Sequence, residues 1–257
     1  MKKIELIGPP GSGKTTLVKN IAGITDKDNN NIVSLNELYI KELIRGKRLF
    51  KTMPKKFVRR YHHHFIAKEY QEFMTTCFTD YGRSMEEMIG FLTKMDKNDR
   101  YYTVKVLNED MFKWYIVSRF GMQERAAVIC DEHFTHRIGR IFKYSDEKDY
   151  ENDLKRYFDL LGWPDTVIHL DISAQEAYER MEKRKQGLPL SYESKTKEEA
   201  LAQLERSRRS SEYLRTHLEA AGVKTYRIES TSNNTDTVQK LREELTEEFT
   251  AAPSCSV

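Results

Sequence analysis

Cysteine is scarce in this chain: Cys77, Cys130 and Cys255 are the three in 257 residues. They are too few and too scattered for a disulfide framework, and they form no C-x-x-C pair. Free thiols in a reducing compartment are the expectation. An excess of one charge is also lacking, since 43 Lys and Arg face 40 Asp and Glu for a net charge of +3. That balance gives no argument for a nucleic-acid partner. No apolar run approaches the roughly 18 residues of a membrane span. No internal repeat or low-complexity linker breaks the chain. Met1-Lys2-Lys3 enters an apolar segment directly, so no leader peptide is expected. The expectation is a cytoplasmic protein with no membrane segment. Residues 1–250 would form a single domain and 251–257 a disordered tail.

What the chain does have is concentrated at Gly8-Pro9-Pro10-Gly11-Ser12-Gly13-Lys14-Thr15, followed by Thr16. This is G-x-x-x-x-G-K-[ST], a phosphate-binding loop, and it needs a strand before it and a helix after it. Lys3 to Ile7 reads as the strand and Thr15 to Ala22 as the helix. The glycines let successive N–H groups turn towards phosphate oxygens, and the helix N-terminus adds partial positive charge. Lys14 would reach the β- and γ-phosphates, and the Thr15 hydroxyl would bind Mg²⁺. The pattern implies a nucleoside triphosphate, with ATP and Mg²⁺ as the expected cofactors.

Further short apolar runs predict strands at Asn31–Leu35, Ala126–Cys130, Thr166–Leu170 and Val223–Ile228. Strands alternating with helices imply right-handed crossovers and a parallel sheet covered on both faces. Residues 38–123 read instead as helices inserted between the second and third strands. Val104, Leu107, Met111, Trp114, Tyr115 and Ser118 form one expected stripe there, read as core packing rather than a pocket.

Ligands in such sheets bind beyond the carboxyl ends of the strands, so those ends direct the search for chemistry. The third strand delivers Asp131-Glu132, and Asp131 is the candidate Mg²⁺ ligand opposite Thr15. Arg137 follows as a candidate for an acceptor anion, or a merely solvated arginine. The second strand delivers Glu37, either a general base that contacts the acceptor or a first-turn residue favoured by the helix dipole. Arg180 and Arg184 lie four apart on a helix expected over Gln175–Lys185, before Gly187-Leu188-Pro189. They read as nucleotide-binding and catalytic arginines of a mobile lid over residues 180–195.

Three other features weigh less. The run Arg45 to Arg60 holds eight basic residues and no acid, suiting either an anionic acceptor or a solvated face. His62-His63-His64 cannot chelate one ion from adjacent helical positions. Thr93-Lys94-Met95-Asp96 imitates a guanine motif inside a helical pattern, with no D-x-x-G between it and the phosphate loop.

On the phosphate loop, the Cys130-Asp131-Glu132 edge and the Arg180–Tyr192 segment, the chain resembles the P-loop kinases of the deoxynucleoside and thymidylate kinase group. The resemblance is specific at the phosphate loop and spans residues 1–245 in element order. It implies an α/β fold of three layers, α/β/α, with five parallel strands in order 2-3-1-4-5. The helical insertion would bind substrate and the loop Thr231–Asp236 would hold adenine. Two departures stand out: Glu132 replaces an arginine, and no proline follows Glu37. The implied function is γ-phosphoryl transfer from MgATP to a small-molecule acceptor, a nucleoside or nucleotide hydroxyl or phosphate. One alternative is a kinase of a sugar or natural-product alcohol. The other is an ATPase switch acting on a macromolecular partner. A homodimer is left open.

Overall fold

The computed structural model describes residues 1–22, 32–45, 67–80, 82–120, 127–141, 149–185, 187–229 and 235–250. Five strands form one sheet: β1 (Lys2–Ile7), β2 (Ile32–Ser34), β3 (Ala127–Cys130), β4 (Thr166–Asp171) and β5 (Lys224–Glu229). Their order is β2-β3-β1-β4-β5, as the resemblance implies. The ladders between β1 and β3, β1 and β4, and β4 and β5 are all parallel. The chain divides into two compact units.

The sheet unit comprises Lys2–Ile32, Ala126–His136 and Pro164–Val257. Strand periodicity gives its sheet two chemically different faces. On one face, Ile4, Leu6, Ala127, Ile129, Ile168, Leu170 and Ile228 join one apolar cluster. It is closed by Leu17, Val18 and Ile21 of α1 (Lys14–Ile21) and by Leu241 and Leu245 of α11 (Thr235–Thr250). The opposite face carries Lys3, Glu5, His169, Asp171 and Arg227. The first four of these are buried. The ladder registers Glu5 with Cys130 and His169 with Arg227. The long helix α10 (Lys197–Ala220) lies against β4 and β5 there. It starts with a full capping box between Thr196 and Glu199.

The helical unit comprises Met1, Val33–Arg125 and Arg137–Trp163. Within it α2 (Leu35–Arg45) packs on α5 (Lys97–Phe120), with α3 (Ala67–Asp80) and α4 (Gly82–Thr93) alongside. Aromatic edges hold the packing: Phe112 meets Tyr39 at 6.2 Å, Tyr70 at 5.4 Å and Phe73 at 5.3 Å between ring centroids. The buried face of α5 differs from the expected stripe. Val104 is 45 % exposed, while Thr103, Leu107, Asp110, Phe112, Ile116 and Val117 are buried. Asp110 can lie on this buried face because it accepts from Arg137 Nε at 2.8 Å, while Leu107, Phe112, Ile116 and Val117 supply the apolar packing. Thr93 to Asp96 is not a helix interior either. Asp96 accepts from the N–H groups of Asn98 and Asp99 and so caps α5. The rest of this unit includes α7 (Tyr150–Leu161) and the end of α6 (Phe134–Ile141). There Asp153 is buried and accepts from Lys94 at 3.3 Å.

Candidate functional site

The loop between β1 and α1 is pressed at two glycines against β4 and the helix that follows β4. A Cβ on Gly8 would stand 2.6 Å from the Leu170 carbonyl oxygen, and one on Gly11 only 2.5 Å from that of Ala177. Any other residue would push the loop off β4 and off the helix that follows it. The Lys14 side chain is buried and donates to the carbonyls of Gly8 at 2.8 Å and Pro9 at 3.1 Å. Burial lowers its pKa, and Arg184 pushes the same way, while Glu132 and Asp131 hold it up. A buried ammonium on two neutral carbonyls would gain by exchanging them for phosphate oxygens.

Across the sheet edge, Thr15 Oγ1 donates to Asp131 Oδ2 at 2.6 Å. The other carboxylate oxygen, Oδ1, is buried and has no hydrogen-bond partner among the described residues. Burial raises the Asp131 pKa, with the Glu132 charge adding to the rise and Thr15, Lys14 and Lys19 opposing it. A buried carboxylate oxygen left over beside a threonine hydroxyl is what a hard divalent cation takes. The donor set fits Mg²⁺.

The helix after β4 is shorter than expected. Helix α8 (Ala174–Glu182) ends where Lys183 N–H closes on the Glu179 carbonyl. Arg184 therefore lies past the helix, and the expected shared helical face with Arg180 does not form. The two arginines part company. Arg180 is half-buried and tied to Glu176 at 2.6 Å, whereas the exposed Arg184 is the one whose charge Lys14 feels. Beyond it, the short α9 (Leu190–Glu193) buries Tyr192 against Ala177, Met181, Ala200 and Leu204.

A family model for ABC transporters matches residues 1–135, just over half of the chain. The chain belongs to the ABC transporter family. For this family member the match covers the phosphate loop and the strand ending before Asp131. It leaves out β4, β5 and the basic segment after α8. No curated protein matches its sequence. Among solved structures it is similar to deoxyadenosine kinase from M. mycoides. With dCMP and dCDP bound, that kinase is 14 % identical at a TM-score of 0.49, covering 95 % of this chain and 99 % of the other. The dCTP and dATP complexes are each 16 % identical, with TM-scores of 0.46 and 0.47. They cover 95 % of this chain, and 99 % and 98 % of theirs.

Glu37 and Arg137 of this ABC transporter family chain belong to the helical unit. Glu37 is an exposed acid in the first turn of α2, where the helix dipole favours it. Arg137 is held by the buried Asp110. Lys47 to Arg60, His62 to His64 and Thr231 to Asn234 lie outside the described residues, as does the Arg45 side chain. Among the described residues, no helix is long and apolar enough to cross a membrane, and no His, Cys, Asp and Glu group makes a metal cluster.

Two charged networks in the sheet unit went unread in the sequence. Glu5 is fully buried in β1, 3.4 Å from Lys3 Nζ and 3.3 Å from His133 Nδ1, and accepts from Thr135 N–H at 2.8 Å. Burial pushes this carboxyl up, but Lys3, His133 and the Thr135 N–H outweigh it and hold the pKa at about 2. The only signal for it was a Lys-x-Glu alternation inside an otherwise apolar strand. The second network sits on the α10 side of β4 and β5. There Asp171 accepts from Arg208 at 2.7 Å and from Arg227 at 2.6 Å. A cavity of about 410 Å³ opens beside them, lined also by Arg209, Glu212 and Tyr213. Its three guanidiniums are already paired, Arg209 with Glu205.

Proposed function

We propose that this chain is an ATP- and Mg²⁺-dependent phosphotransferase acting on a small-molecule acceptor, with a nucleoside or nucleotide as the favoured class. One observation carries the reading: the Thr15–Asp131 pair, with a buried spare carboxylate oxygen, stands beside a lysine held inside the phosphate loop. Thr15 and Asp131 would hold Mg²⁺, which when bound neutralises charge on the β- and γ-phosphates. Lys14 would move its hydrogen bonds from the Gly8 and Pro9 carbonyls onto phosphate oxygens. The loop N–H groups and the α1 N-terminus would fix the triphosphate, so that catalysis is positioning and charge neutralisation. ADP formation from MgATP, measured against nucleosides, monophosphates, sugars and amino alcohols, tests it. Turnover that depends on one of these acceptors is expected. Sugar or amino-alcohol turnover alone would move the acceptor class to a non-nucleotide metabolite.

The family match favours a second reading, in which hydrolysis drives a change in a macromolecular partner. Phosphate release without any small acceptor, stimulated by a macromolecule, would select it.

The arginines give a graded expectation within the first reading. Arg184→Ala should lower kcat about tenfold to a hundredfold with little change in the KM for ATP, because transition-state charge is what a lid arginine meets. Arg180→Ala should do less, since Glu176 already engages it. Steady-state kinetics in ATP reads both. A change confined to KM would make Arg184 a ground-state ligand.

Glu37 separates the acceptor classes. A neutral hydroxyl must lose a proton on transfer, and a monophosphate need not. For an alcohol acceptor, Glu37→Gln should cost about a hundredfold or more in kcat. Neutralising Lys55, Lys56, Arg59 and Arg60 should then matter little. For a monophosphate the ranking should reverse. Parent-like kcat of Glu37→Gln on a proven alcohol would leave Asp131 as the base.

A further inference from the structure

Asp131 lies on a short turn between β3 and α6, whose local ties are the His136 N–H on the His133 carbonyl at 3.0 Å and His136 beside Glu132 at 3.8 Å; neither involves Asp131. Both ends of the turn meet one residue of β1. At the near end, Glu5 is the ladder partner of Cys130, the residue before Asp131. At the far end, the Glu5 carboxylate accepts the N–H of Thr135 in the first turn of α6 at 2.8 Å. Between them, the His133 ring sits 3.3 Å from the same carboxylate. Lys3 braces the carboxylate from below at 3.4 Å and lies over the Phe134 ring at 5.1 Å from its centroid.

A charge in the middle of a sheet is costly, and an apolar residue would fill the strand with less desolvation. An apolar residue could not reach the α6 N-terminus. We infer that Glu5 is a positioning residue for the metal ligand Asp131, clamping residues 130–135 so that Asp131 Oδ2 meets the Thr15 hydroxyl and Oδ1 is left over for the ion. This rests on the reading of Asp131 as a Mg²⁺ ligand. It adds a second layer to the site: a carboxylate of β1 that touches neither metal nor nucleotide sets the geometry of the carboxylate that does. Outer groups of this kind are worth about tenfold to a hundredfold in metal affinity.

The test measures ADP binding by calorimetry in EDTA and Mn²⁺ binding to the ADP complex by EPR. The proteins are the parent, Glu5→Gln, Asp131→Asn and the double variant. Glu5→Gln keeps an acceptor for Thr135 but loses the charge that organises Lys3 and His133. Its metal-free ADP affinity should stay within about twofold of the parent, while Mn²⁺ affinity falls about tenfold or more. In the Asp131→Asn background the same change should cost nothing further, because the effect runs through Asp131. Loss of ADP affinity with and without metal alike would reduce Glu5 to a stabiliser of the sheet and overturn the inference. So would an undiminished extra loss in the double variant. Asp131→Asn with parent-like Mn²⁺ affinity would instead remove the metal reading itself. If Glu5→Gln does not fold, Thr135→Pro decides, removing the N–H at a first-turn position where proline is tolerated, with Thr135→Val, which keeps the N–H, as the control for the lost buried side chain. Thr135→Pro should reproduce the Mn²⁺ loss, and parent-like Mn²⁺ affinity there would refute the clamp.

Discussion

Lys14→Met should leave a folded protein whose proposed phosphoryl transfer falls about a thousandfold. Methionine keeps most of the buried aliphatic stem, so the packing inside the loop survives. What goes is the ammonium now resting on the Gly8 and Pro9 carbonyls. Alanine at the same position is the harsher change, because Lys14 is as buried as a core residue and its loss leaves a void. Thr15→Ala should approach the same loss of transfer with less effect on folding, since the Thr15 side chain is exposed. Circular dichroism with kcat for ADP formation separates the two effects. Near-parent turnover in either folded variant would end the phosphotransferase reading.

The second large effect is at Asp131. Asparagine can still accept from the Thr15 hydroxyl, so the 2.6 Å contact can persist while the charge is removed. Turnover should fall about a hundredfold or more at ordinary Mg²⁺. Raising the metal concentration should recover part of it if Asp131 only holds the ion. Full insensitivity to added Mg²⁺, at the same loss, would instead point to Asp131 as the proton acceptor. Titrating Mg²⁺ at saturating ATP gives the answer directly.

Much of this frame was legible because local signals agreed with one another. The phosphate loop carries its own strand and helix in sequence, and each strand lies within one or two residues of its predicted ends. The strand order was supplied by resemblance rather than by any residue pattern, and the ladders agree with it. Two of the misses share a physical cause: each depends on a partner far away in the chain. Asp110 is buried on α5 with a partner, Arg137, that comes from 27 residues on, and helical periodicity cannot see that pairing. Glu5 looks like a stray surface acid until Thr135, 130 residues later, arrives above it. The helix through Arg184 was extended on composition alone. A run of lysine and arginine suits helix and turn equally, and only the closing hydrogen bond of Lys183 shows where it stops.

The α10 side of the sheet carries a consequence for how this unit yields. Between Leu204 and Leu214, about three turns, α10 buries no apolar residue. It rests there through Arg208 on Asp171 and through Glu212 beside His169. The opposite face is sealed by oil, which neither salt nor acid weakens directly. This one is sealed by charge, and half-exposed ion pairs are screened by added salt. Arg208, opposed by burial and joined by Arg227, holds the Asp171 carboxyl well below the usual carboxylate range. Its stabilisation is thus present above that range and fades as pH falls beneath it. The seam under α10 is therefore the part of this packing that added salt and acid loosen. The proposed lid segment joins α10 at its apolar first turns, where Tyr192 packs on Ala200 and Leu204, so salt and acid act on the helix beyond that anchor.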